Sequence, residues 1–227
     1  MTSKIQIHRE ADVMVITVNN PPINAGSTEV RQGLLDAIHH FQNDPSALAA
    51  VIIGGGNTFI AGSDIKEFSQ PLAEPHLPTV ISAIENCPKP VVCALHGAAL
   101  GGGFELALGC DARIALEGAV VGLPEVTLGI IPGAGGTQRL PRLVGIEKSI
   151  ELICAGTRIK ADEALKLGII SKLVKDDLLG NAIQFARSLI GHKNRVRDIA
   201  TPNAETASVL AASQKALKAA KNRPNAH

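Results

Sequence analysis

Tryptophan and tyrosine are absent from this 227-residue chain, and phenylalanine occurs only five times. So few rings leave little for nucleobases to stack on, which argues against a single-stranded nucleic-acid binder. An excess of one charge is missing too. The 22 basic and 21 acidic residues give a net charge of +1, unlike a surface built for polyanions or lipid headgroups. The apolar runs are too short and too broken by glycine to cross a bilayer. The polar start MTSKIQIHREAD has no apolar signal core, so nothing points to export and a cytoplasmic location is expected. Four cysteines (Cys87, Cys93, Cys110 and Cys154) lie in apolar contexts without a CxxC pair. They read as buried thiols in a reducing compartment. No metal-ligand spacing occurs, so no metal is expected.

With 45% hydrophobic residues, the chain can bury one sizeable core and carry an appendage. Strand-like runs alternate with helical ones, which indicates an α/β domain. Strands are predicted at IQIH, Val13–Asn20, Ala49–Gly56, Pro90–Leu95, DARIAL, AVVGL and Ile169–Val174. Helices are predicted from a Ser27 cap to about Phe41, near Ile65, over Thr79–Asn86, at FELALGC, and after the glycines that follow Pro132. Further helices are predicted over Ile146–Ala155, Ala161–Leu167 and Leu178–Leu189, with one more in AETASVLAASQKALKAAK. Composition shifts near Gly191. Residues 191–227 carry seven basic and two acidic side chains, against fifteen and nineteen in residues 1–190. That excess reads as a solvated linker face rather than a nucleic-acid site.

The chain is organised around HGAALGGGFELALGCD, His96–Asp111. Gly101, Gly102 and Gly103 follow an apolar strand and open a helix. Consecutive glycines cost backbone entropy. They are useful where bare N–H groups at a helix start must approach an anion or a carbonyl oxygen; tight strand-to-helix packing is the structural alternative. Glu105 then stands in an otherwise apolar helix, and Glu125 follows in GLPEV. Two acids in apolar surroundings beside exposed amides suggest acid–base chemistry next to an oxyanion site. His96 reads as structural and Asp111 as the anchor of a turn. GAGGTQ does not have GxGxxG spacing, which argues against a nicotinamide site.

FIAGSDIKEF, PKPVVCALHGAALGGGFELALGCD, GLPEVTLGIIPGAGGTQRLPRLVG and KADEALKLGII stand in this order along the chain. Together they resemble the crotonase (enoyl-CoA hydratase/isomerase) superfamily. NPPINA, GLPEVTLGIIPGAGGTQ and ADEALKLGI look closest to the amino-terminal part of bifunctional fatty-acid oxidation enzymes. The resemblance implies a spiral of repeated ββα units, although no repeat period is visible, followed by a helical tail. It implies hydration of a 2-trans-enoyl-CoA, with Δ3–Δ2 isomerisation by one acid as the alternative. A third reading, from another class, is an acyl-CoA-binding or assembly module. Position by position, the backbone N–H groups of Ser63 and Gly102 would form the oxyanion hole. Glu105 would activate water, Glu125 would protonate the substrate's α-carbon, and the N–H of Gly133 would help place the water. Ala61, Gly62, Ile65 and Lys66, the Asn24–Ala25 turn, and Gly101 would line the coenzyme A and substrate channel. No cofactor is implied beyond the coenzyme A of the substrate. Residues 191–227 would be a linker toward a downstream 3-hydroxyacyl-CoA dehydrogenase domain.

Overall fold

The computed structural model describes residues 4–64, 67, 71 and 73–220. Strands β1 (Ile5–Glu10) and β2 (Val13–Val18) form an antiparallel hairpin. β3 (Ala49–Gly54), β4 (Val91–Leu95), β6 (Ala112–Leu116) and β9 (Lys172–Val174) extend it in parallel, in the order β1-β2-β3-β4-β6-β9. Parallel strands are covered on both faces, which explains why VVCAL is apolar throughout and buried at all five positions. A second, smaller sheet has the order β5-β7-β8, from Ala98–Leu100, Val120–Gly122 and Arg158–Lys160.

Side chains alternate across the large sheet. Val13, Val15, Val51, Val92 and Ala94 face Leu178, Ala182 and Ala186 of helix α7 (Leu178–Ser188). Met14, Ile16, Ile52 and Leu95 face a larger core with Phe41, Phe59 and Phe104. Three helices enter that core: α1 (Thr28–Asn43), α2 (Leu77–Asn86) and α3 (Gly102–Gly109). Ser27 caps α1 through Val30, as expected, and Val30, Leu34, Ile38 and Phe41 are its buried face. The other α-helices of the described residues are α4 (Gly136–Val144), α5 (Ile146–Ala155), α6 (Ala161–Lys166) and α8 (Thr206–Ala220). Among the described residues no helix is long and apolar enough to cross a membrane.

The ββα spiral is visible as a recurring path. A strand in the large sheet leads to a short strand or bridge in the second layer, and then to a helix. β4, β5 and α3 follow it in full, and β3 follows it through the Ile60–Ala99 bridge on the way to α2. Several sequence expectations shift. The run expected as a strand over Ile169–Val174 pairs only at Lys172–Val174, and α2 begins at Leu77 rather than Thr79. β5 and β8 were not expected. The helix expected near Ile65 lies outside the described residues, apart from Asp64 and Glu67.

The basic stretch after Gly191 is not simply a solvated face. Lys193 reaches Asp111 Oδ2 at 2.7 Å, and that carboxylate is 1% exposed. Asp111 also accepts from the N–H groups of Val91 and Asn194, both at 2.8 Å. Asp111 therefore anchors the tail to the start of β4, a longer-range role than capping a turn. Arg195 and Arg197 bind Glu85 of α2 through its carbonyl and carboxylate. Beyond them, α8 packs on α5.

Candidate active site

The start of α3 is built by its glycines. Gly101 has φ +52°, ψ −127°, a conformation closed to side chains. A Cβ on Gly103 would lie 2.1 Å from the Ile60 carbonyl oxygen, and one on Gly102 would meet Leu77 at 2.8 Å and Ser63 Oγ at 3.1 Å. Close packing and exposed amides are thus one arrangement rather than alternatives: the 60–63 loop can press on the helix start only where Cβ atoms are missing. Gly26 N–H holds that loop from the other side through the Gly62 carbonyl at 2.9 Å. Among the described residues, neither the Ser63 N–H nor the Gly102 N–H has an acceptor. Both residues border one cavity of about 410 Å³.

Glu105 and Glu125 line the same cavity, 3% and 9% exposed. Their surroundings differ. Glu105 sits in the first turn of α3, and its Oε1 accepts from the N–H groups of Ala134 at 2.7 Å and Gly136 at 2.8 Å. Burial raises its pKa, while those two amides and the Arg139 charge pull the other way. Glu125 opens a 3-10 turn, Glu125–Leu128, and its Oε2 is buried with no hydrogen-bond partner. Burial, reinforced by the charge on Glu105, lifts its pKa from 4.5 to about 7. Both carboxyls are therefore raised by burial, Glu105 against two amide donors and an arginine charge and Glu125 with a buried oxygen that has no donor.

Ala61, Gly62, Gly101 and Gly133 also line the cavity. The Gly133 N–H has no partner among the described residues. Asn24 and Ala25 are not in that lining. The buried Asn24 amide instead ties its turn together, accepting from Asn20 N–H and donating to the carbonyls of Gly55 and Thr58, each at 2.8 Å. Ile65 and Lys66 lie outside the described residues. His96 stays away from the cavity, bound to the Gly56 carbonyl through Nε2 at 3.2 Å. Sequence reasoning missed the amides of Ala134 and Gly136; the glycines GAGG were the available signal, but nothing local paired them with Glu105. It also missed the apolar rim of Leu128, Ile130 and Ile131. Among the described residues no group of His, Cys, Asp or Glu side chains gathers in a way that could hold a metal ion.

Comparison with known proteins adds to this geometry. A family profile described as Enoyl-CoA hydratase/isomerase matches residues 8–223. The chain is 49% identical over 179 residues to a peroxisomal bifunctional enzyme of Danio rerio, covering 79% of this chain and 25% of that protein. It is 46% identical over 185 residues to a probable enoyl-CoA hydratase of Bacillus subtilis (strain 168), covering 78% and 70%. The chain thus spans about a quarter of the length of the bifunctional relatives. Among solved structures, an enoyl-CoA hydratase from Bacillus anthracis superposes with a TM-score of 0.78 at 34% identity, over 95% of this chain and 90% of that one.

Proposed function

This chain belongs to the enoyl-CoA hydratase/isomerase family, and from that premise we propose that it adds water across the double bond of a 2-trans-enoyl-CoA to give a 3-hydroxyacyl-CoA. The thioester oxygen accepts from the N–H groups of Ser63 and Gly102. Glu105, whose carboxylate form its two amide donors favour against burial, takes a proton from water, and the Gly133 N–H steadies that water. The oxygen bonds to the substrate's β-carbon, and the double-bond electrons move onto the thioester oxygen as an enolate. Glu125, whose pKa of about 7 keeps a large share of it protonated at neutral pH, then gives its proton to the α-carbon and the carbonyl re-forms. Water has been added, and the proton gained by Glu105 and lost by Glu125 is restored through solvent. Two fixed amides facing the developing charge lower the barrier, and losing one such donor typically costs ~10²–10³ in rate. Coenzyme A enters with the substrate, and the chemistry needs no other cofactor.

The observation that carries this reading is the pair of buried acids in one cavity, one held by two amides and the other with an unpartnered oxygen and a pKa of about 7. The experiment is to follow crotonyl-CoA absorbance with wild type, Glu105→Gln and Glu125→Gln. Each variant is expected to lose ~10²–10⁴ of the hydration rate; full activity in both would end the reading. The unpartnered Oε2 of Glu125 also favours a second activity, isomerisation of a 3-enoyl-CoA by one acid moving one proton. That activity should survive Glu105→Gln. We further propose that the product passes to a 3-hydroxyacyl-CoA dehydrogenase, a reading supported by the bifunctional names of the longer relatives.

A further inference from the structure

Glu105 is held by a segment that is itself gripped from behind. α2 is an apolar helix, yet it carries Glu85 into the interior at 2% exposure. Arg139 of α4 binds both oxygens of that carboxylate, Nε and Nη2 each at 2.8 Å. The remaining arm, Nη1, donates to the Ala134 carbonyl at 3.0 Å. The N–H of Ala134, like that of Gly136, is bonded to Glu105. One planar guanidinium therefore connects α2 to the peptide that holds the Glu105 carboxylate. Arg197 adds a third contact to Glu85 at 3.3 Å. A buried ion pair contributes little net stability against an apolar replacement, whereas a bidentate fork fixes geometry well.

We propose that Arg139, clamped by Glu85, is a positioning residue: it fixes the 134–136 segment so that its two amides hold Glu105 on the reacting double bond. This rests on the reading that Glu105 activates water. Without the clamp the segment can swing, and Glu105 keeps its burial but loses its donors. The groups facing Glu105 are Glu125 from the 3-10 turn, and Arg139 with the two amides from the α4 side. The Arg139 charge lowers the Glu105 pKa, so its removal shifts the titration of that carboxyl upward.

The test is the pH profile of kcat and KM for crotonyl-CoA hydration, with melting curves as the folding control. Wild type is compared with Glu105→Gln, Arg139→Gln, Arg139→Lys and the double variant Glu85→Gln with Arg139→Gln. The double variant leaves no orphaned buried carboxylate and serves where Arg139→Gln does not fold. Arg139→Gln is expected to lower kcat about 10- to 100-fold with little change in KM, and to move the acid limb of kcat to higher pH. Arg139→Lys should keep the acid limb near that of wild type with kcat still reduced, because an ammonium cannot fork two oxygens and a carbonyl. A loss in Glu105→Gln together with wild-type kcat and an unmoved acid limb in the folded arginine variant would overturn this inference alone. A fully active Glu105→Gln would overturn the hydratase reading and this inference with it.

Discussion

Glu125 is the residue where stability and reactivity pull apart. Its pKa rises from 4.5 to about 7 on folding, so between those values the native state holds a proton that the unfolded chain has released. Stability therefore falls as pH rises through that window, and the full penalty stands above about pH 7. At ~1.4 kcal/mol per unit, the penalty is on the order of 3 to 4 kcal/mol. Glu125→Gln should unfold at higher denaturant than wild type above neutrality, with the advantage fading toward acid pH; a constant difference across pH would contradict the shift. Sequence carried much at this scale. Glu105 and Glu125 stand out because they interrupt apolar runs beside glycines, and the site motifs near positions 62, 102 and 133 carry the family resemblance. Glu85, Arg139 and Lys193 did not stand out. Their partners lie 54 and 82 residues away, and an isolated charged residue looks the same in sequence whether it faces solvent or a buried partner.

At the scale of elements, α3 and the loop at residues 60–63 act as one unit because Gly103 lets them touch. Gly103→Ala places a Cβ about 2.1 Å from the Ile60 carbonyl, and neither backbone can yield cheaply. The expected cost is about 1–3 kcal/mol from overpacking, read as a lower denaturant midpoint, with hydration falling as the Ser63 and Gly102 amides lose register. A variant as stable and active as wild type would show that the contact is not needed. Most elements were legible because periodicity and capping are local: the buried stripe of α1 and its Ser27 cap follow from spacing alone. β5 and β8 were not, since three residues give no alternation to read. GAGG reads as a helix entry and α4 does begin at its last glycine, Gly136, but that the Ala134 and Gly136 amides bind Glu105 was not legible from it.

The whole molecule is closed by its carboxy-terminal segment. Lys193 and Asn194 converge on Asp111, and Arg197 on Glu85, tying the stretch after α7 to the central strands and to the clamp behind the cavity. Lys193→Met removes the cation in direct contact with the nearly buried Asp111 carboxylate. The expected loss is about 3 kcal/mol, measurable by thermal melting, and an unchanged midpoint would mean that the two backbone donors suffice. The spiral itself was invisible in the sequence for a geometric reason. Its strands begin at residues 13, 49, 91 and 112, so the turns differ in length and no fixed period marks them. The cavity takes its lining from all four of those turns, from Gly26 to Arg158. The most direct measurement is to incubate the chain with a 2-trans-enoyl-CoA in heavy-oxygen water and weigh the product. Uptake of one labelled oxygen by wild type, lost in Glu105→Gln, is predicted; no label in the wild-type product, or undiminished uptake by the variant, would contradict water addition by this pair of acids.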